Sequence, residues 1–280
     1  MKRAALLALW VGSVGAASGC SVITDSERVQ CSTNADCVAR GAAFAGTECR
    51  NSFCEAASGW ACLDGPAPPE PTGSGFTVSF LTRETVSQQP LVGLKAKLCR
   101  KLDVECADAG TVATSDSQGI VTLKVAPGFD GYVRFDDEKT VPGLFFFNPP
   151  VAQDLSNISI SLSSFETVAG LAALTGATQS IDRGIVLLSV VDCTGAPAAG
   201  VALSSDSDDP QERTFYSANG FPSATATETG MDGYGGLVNV SPGPTTLSAS
   251  LVNGGRRLDR VTVLVQAGAQ SMTTLVPSGR

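Results

Sequence analysis

Residues 76–162 and 184–280 read as two tandem antiparallel β-sandwiches, joined by a short helix and preceded by a small disulfide-rich segment. Three observations predict this all-β fold. Apolar residues alternate with polar ones in short runs. The turns between the runs recur in the same order in the two halves. Cysteines crowd into Cys31–Cys62, a stretch with too few aliphatic residues to bury a core of its own.

In the first half, Phe76, Val78 and Phe80 alternate with Thr77 and Ser79, and Leu94, Ala96 and Leu98 alternate with Lys95 and Lys97. Ile120–Val125, Gly131–Phe135 and Ile158–Leu162 continue the series. The second half opens with a strand at Ile185–Val191. Pro197–Val201 matches Pro90–Leu94 at an offset of 107 (197 − 90), and Val240–Gly243 matches Val125–Gly128 at an offset of 115 (242 − 127). The additional eight residues are expected in loops of the second copy, because strands are held by register and core. Between the copies, residues 163–183 interrupt the alternation. Ser163 and Glu166 have capping-box spacing, Val168, Leu171, Ala172 and Leu174 form an apolar face, and Gly176 is placed to end the helix. In Phe145-Phe146-Phe147 at least one ring must leave the sheet face shared by the others, and burial within the fold is the expected outcome.

Residues 1–19 read as a leader. Met1-Lys2-Arg3 is a positive start, Ala4–Ala17 is uncharged and apolar, and Ala17-Ser18-Gly19-Cys20 places small residues before a cysteine. This resembles a bacterial lipobox, with Ala17 where such motifs usually carry Leu, and the resemblance implies lipid on Cys20 and a membrane-anchored mature chain. Ser21 after that cysteine resembles lipoproteins sent to the outer membrane. The competing reading is ordinary secretion. The cysteine count of nine is odd, and lipid on Cys20 leaves eight to pair: Cys31, Cys37, Cys49, Cys54, Cys62, Cys99, Cys106 and Cys193. Cys99 and Cys106 are expected to close a short loop, and Cys62 is the expected partner of Cys193. The pairing of the rest is open. A four-thiolate zinc site in the cluster lacks the usual C-x2-C knuckles. Residues 20–62 form the cysteine-rich module, and residues 63–75, with four prolines and a Gly-Ser-Gly end, form a linker.

Composition excludes whole function classes. The chain contains no histidine, which removes His-dependent nucleophile systems and His-based metal catalysis. The net charge of −8 speaks against a nucleic-acid partner. No G-x-S-x-G or S-x-x-K motif occurs. Asp206, Asp208 and Asp209 offer oxygen ligands for calcium, but not at EF-hand spacing. With Phe215, Tyr216 and Phe221 they make a candidate binding loop over Ser204–Pro222 for a sugar or protein, or else a solvated loop pinned by its aromatics.

The turns themselves resemble those of the carboxypeptidase regulatory-like, transthyretin-like (Ig-like) domain. The matching residues are Pro90, Gly93, Leu94, Thr114, Asp116, Gly119, Val125, Pro127 and Gly128 in the first copy, and Pro197, Gly200, Val201, Thr229, Asp232, Gly235, Val240, Pro242 and Gly243 in the second. The chain is also similar to cysteine-rich surface lipoproteins of Gram-negative bacteria. The resemblance implies a non-catalytic appendage or surface spacer and carries over no ligand site. The expected partners are the membrane, through the lipid, and an envelope polysaccharide or protein; no cofactor is expected. A carboxylate-based enzyme, or a carbohydrate-binding accessory domain of one, is the alternative. It would require two acids in one deep pocket.

Overall fold

A computed structural model describes residues 30–41, 47–50, 52–56, 59–65, 71–107, 109–218, 220–252 and 255–277. The leader, Cys20 and Asn219 lie outside the described residues. The chain divides into two compact units, residues 1–57 and 58–280.

The described part of the first unit is small. A one-and-a-half-turn helix, α1 (Asn34–Ala39), is followed by a hairpin of β1 (Thr47–Arg50) and β2 (Phe53–Ala56). The Asp36 carboxylate accepts from the Ser32 and Thr33 amides at 2.8 Å each, which caps the helix start. Disulfides Cys31–Cys49 and Cys37–Cys54 tie helix to hairpin and do the work of a core. Cys62 does not belong with this hairpin, because it lies in the second unit.

The second unit holds both sandwiches. The first contains β3 (Phe76–Glu84), β4 (Lys95–Arg100), β5 (Val112–Thr114), β6 (Ile120–Val125), β7 (Gly131–Asp136), β8 (Gly143–Phe146) and β9 (Leu155–Leu162). The second contains β10 (Gly184–Val190), β11 (Val201–Ser205), β12 (Arg213–Ala218), β13 (Phe221–Ser223), β14 (Tyr234–Val240), β15 (Gly243–Leu251), β16 (Arg257–Val265) and β17 (Gln270–Leu275). The repeat is one of topology. β3 pairs antiparallel with β6 and parallel with β9, as β10 pairs with β14 and β17. The order β4-β7-β8 likewise recurs as β11-β15-β16.

The sequence alignment of the second copy's turn needs correction. Ser115 Oγ donates to Leu91 O and accepts from Leu94 N, and Thr229 Oγ1 does the same with Ala198 O and Val201 N. A Cβ on Gly119 would strike Thr82 O at 2.5 Å, and one on Gly233 would strike Val190 O at 2.4 Å. The counterparts are therefore Ser115 with Thr229 and Gly119 with Gly233. Gly235 lies inside β14 instead. The extra length of the second copy is also not simply loop: it contains the β12–β13 hairpin, which extends the sheet edge beyond β14.

The two sandwiches are fused. β8 pairs parallel with β17, Gly143 to Phe146 opposite Gln270 to Thr273. The result is one nine-stranded sheet, β13-β12-β14-β10-β17-β8-β7-β4-β5, with three-stranded sheets β6-β3-β9 and β11-β15-β16 completing the two sandwiches. Side chains of the first copy that point away from its own core enter the second core: Tyr132, Leu144 and Phe146 cluster with Val186, Leu188 and Val263. This resolves the Phe triplet. Phe145 packs edge-on against both Phe80 and Phe147, while Phe146 lies tilted on Tyr132 at 4.9 Å on the other face.

Polar groups at the seam are satisfied. Fully buried Gln270 donates from Nε2 to Ser161 O (2.7 Å), accepts at Oε1 from Ser163 N (3.2 Å) and donates its own amide to Pro142 O (2.9 Å). Asn148 Nδ2 donates to Asp259 Oδ2 (2.6 Å) and Thr274 O (2.9 Å). The connector helix, α2 (Phe165–Leu174), is capped by Ser164 rather than Ser163. Ser164 Oγ accepts from Thr167 N, while the Ser163 hydroxyl is bonded to Thr85 Oγ1 at 2.8 Å. Val168 and Ala172 pack on Ile185, Phe215 and Val238, whereas Leu174 is exposed. Gly176, at φ 76°, turns the chain out of the helix.

A 3-10 turn at Ala61–Asp64, within the second unit, brings Cys62 to Cys193, with Cα atoms 5.6 Å apart. Cys99 joins Cys106 at 5.1 Å. Cys62–Cys193 spans 131 residues, so the chain-entropy argument assigns it about 5 kcal/mol. A Cys62→Ser/Cys193→Ser variant should lose about that much in urea unfolding, and an unchanged midpoint would contradict the assignment.

Candidate functional site

The residues between β11 and β12 carry the acids singled out in the sequence. Their carboxylates are engaged by the protein and do not converge. Asp206 Oδ1 accepts from Thr246 N at 2.9 Å, and that amide holds its carboxyl below the usual range. Asp209 accepts from Gln211 N (2.9 Å) and Ser241 Oγ (2.7 Å) and pairs with Arg183 Nη2 (2.7 Å). Those three partners lower its pKa to about 2. Asp208 is exposed. Glu212 behaves oppositely. Its Oε1 takes the Ser205 hydroxyl, but Oε2 is buried without a partner among the described residues. Burial pushes its pKa up, and the nearby Asp209 and Asp206 charges add to this.

Among the described residues, the one group of three or more potential metal-ligand atoms lying within 4.8 Å of one another is Cys31, Cys37 and Cys54. All three sulfurs are in disulfides. The four cysteines of the hairpin unit therefore present no thiolate in this oxidised state.

Phe215 and Tyr216 are neighbours in β12 and are both buried, at 6% exposure each. A strand normally buries one of two adjacent side chains. Here both faces of the sheet are covered. Phe215 packs under α2, and Tyr216 packs on the opposite core with Leu203. The Tyr216 hydroxyl accepts from Leu203 N at 2.9 Å, and burial raises its pKa. These two aromatics are anchors of the fold. Phe221, at the start of β13, is 71% exposed. The expected binding loop is therefore split: Asp206, Asp209, Phe215 and Tyr216 hold structure together, and Asp208 and Phe221 face solvent. Arg183, which fastens Asp209, escaped sequence reasoning because nothing in its local pattern points across 26 residues to an acid.

Two open cavities flank the second sandwich. One, of about 490 Å³, lies between the disulfide loop (Leu102, Val104) and the β15 start (Pro242, Pro244), with Arg134 and Gln266 bridging its floor at 2.8 Å. The other, of about 480 Å³, lies between the β12–β13 turn and residues 226–232. It holds two acids, Glu228 and Asp232. Glu228 is exposed, and Asp232 accepts from Ser217 Oγ (2.5 Å) and Tyr234 N (3.2 Å).

No family model matches the chain, and no curated protein matches it. Several solved structures align with it over about three quarters of its length. The Bacillus anthracis TIE protein is 9% identical over 73% of this chain and 34% of that one, with a TM-score of 0.25. The chain thus spans about a third of that protein's length. The shaft pilin SpaA of Lactobacillus rhamnosus GG is 11% identical over 74% and 99%, with a TM-score of 0.25. A minor pilin of Streptococcus agalactiae is 16% identical over 73% and 98%, with a TM-score of 0.23.

The acids set the response to pH. Asp209 has a depressed folded pKa, so its contribution is complete above the unfolded value of 3.8 and is lost as pH falls toward about 2. Thermal melts of Asp209→Asn should lack that part of the acid slope. Glu212 has a raised folded pKa, so its charge costs stability at neutral pH and the cost disappears on protonation. Glu212→Gln should melt higher than the natural chain at pH 7 and show no gain below pH 4.5, the unfolded value. A lower melting temperature at pH 7 would contradict this reading.

Proposed function

We propose that the chain is a non-enzymatic envelope lipoprotein, held at a membrane by lipid on Cys20 and presenting a rigid pair of sandwiches as a structural or adhesive module. One observation carries the reading. The eight cysteines from Cys31 to Cys193 are all consumed in four disulfides with one another. Cys20 alone is left for modification, at the end of a charged, apolar and small-residue leader. Four disulfides also belong to an oxidising compartment. No helix of the described residues is long and apolar enough to cross a membrane, which suits attachment by lipid.

The sandwich topology supports the carboxypeptidase regulatory-like reading of both copies, with Pro90 and Pro197 at equivalent turns. A non-enzymatic role is supported as well by Asp206 and Asp209, whose carboxylates anchor the loop. Outer-membrane sorting, suggested by Ser21, and an envelope polysaccharide or protein as ligand belong to the same proposal.

Metabolic labelling with a fatty acid in a Gram-negative host tests it. The natural chain should incorporate label and Cys20→Ala should not. Equal labelling of the two would remove the lipid from the account.

A further inference from the structure

The four disulfides are not equally sheltered. Cys99 and Cys106 are both buried, at 1% and 5% exposure. Cys49 and Cys54 are half-buried, but their partners Cys31 and Cys37 are closed off, at 3% and 0%. Among the described residues, Cys62–Cys193 is the one bridge in which neither cysteine is buried. It lies within residues 58–280 and fastens the segment before β3 to the turn between β10 and β11.

Thiol–disulfide exchange needs one sulfur that a thiolate can reach and a second that can leave as a thiolate. A thiolate expelled into an apolar interior is disfavoured. Attack at Cys49 or Cys54 would expel Cys31 or Cys37, both shut away from water. Cys62–Cys193 escapes this penalty, and its two sulfurs differ from one another. The Cys62 amide donates to Cys193 Sγ at 3.0 Å, so negative charge arriving on Cys193 meets a donor already in place. Cys62 Sγ faces the Pro277 carbonyl oxygen at 3.8 Å, which offers such a charge nothing. Cys62 is therefore the sulfur to attack and Cys193 the one to leave. The Asp192 carboxylate, next in the chain, repels anionic reagents, so an uncharged dithiol fits better than a charged thiol.

We propose that Cys62–Cys193 is a site of thiol–disulfide exchange that takes an uncharged dithiol and, once reduced, releases the segment around Cys62 from the sandwiches. The first thiolate of the reductant attacks Cys62 Sγ. The Cys62–Cys193 bond breaks, and Cys193 leaves with the electron pair and takes a proton from water. The second thiolate of the reductant then displaces Cys62 from the mixed disulfide, and Cys62 is protonated in turn. The protein gains two electrons and two protons, and the dithiol ends as its own disulfide. What still holds residues 59–65 is the Cys193 amide on Gly59 O and the buried Leu63. The next firm attachment is Phe76 at the start of β3, 14 residues on (76 − 62), which lengthens the connection by up to roughly 50 Å when extended. None of this depends on lipid at Cys20.

The full chain, oxidised and with free thiols blocked by N-ethylmaleimide, is treated with increasing dithiothreitol without denaturant, quenched with iodoacetamide and mapped by peptide mass. Cys62 and Cys193 should be alkylated at a dose at least about tenfold below that which opens any other bridge. Another bridge opening first, or all four opening together, would overturn the site. With limiting 2-mercaptoethanol the adduct should form on Cys62 and the free thiol on Cys193, and the reverse would overturn the direction. Hydrogen exchange then reads the release. In the reduced chain the Cys193 amide should exchange at least about tenfold faster than in the oxidised one, while the β3 and β10 amides stay protected. An unchanged Cys193 amide would mean that the segment stays docked, and lost protection across β3 and β10 would mean unfolding; either would overturn the release.

Discussion

Four backbone pairs between β8 and β17 govern the architecture of residues 59–277. An antiparallel sandwich ends in edge strands that are hazardous if left bare. Here the edge of one sandwich is closed by the edge of the other. The closure brings Gly143 against Leu162 and Met272 so tightly that a Cβ would lie 2.4 Å from Leu162 Cδ2. It buries Gln270 completely, and that burial demands the partners supplied by Ser161, Ser163 and Pro142. One sheet pairing thus propagates into core composition and polar satisfaction.

The second consequence is an orientation. Because β17 must run beside β8 and β10, the last described residues return to the point where the chain entered, with Cys62 Sγ 3.8 Å from Pro277 O. Cys62–Cys193 fixes that convergence covalently. The loop anchored by Arg183–Asp209 falls at the opposite end.

What could be read in the sequence was whatever is local or periodic. Alternation exposed the strands, the Pro-x-x-Gly turns exposed the repeat, and cysteine counting isolated Cys20. The shared sheet was illegible. β17 reads QSMTTL, polar at four of six positions, yet it is buried along nearly its whole length because both faces and both edges are occupied. Phe215 and Tyr216 misled for a related reason. Adjacent buried aromatics look like loop furniture until α2 and the β11-β15-β16 sheet are seen to cover opposite faces. The turn at Thr229 was misaligned because Asp232 and Gly235 imitate the first copy's spacing, whereas the hydrogen bonds pick Thr229 and Gly233. Long-range partners such as Arg183 with Asp209, or Asn148 with Asp259, leave no trace in a single sequence.

The central claim is that the seam makes two sandwiches one cooperative body. Native-state hydrogen exchange of the β6 and β14 amides, in the natural chain and in Gly143→Val, tests it most directly. Overpacking at Gly143 should cost about 1–3 kcal/mol. The account requires that the opening free energies of both strands fall by the same amount, although β14 lies outside the mutated sandwich. A loss confined to β6, with β14 unchanged, would show that the sandwiches open independently and would contradict it.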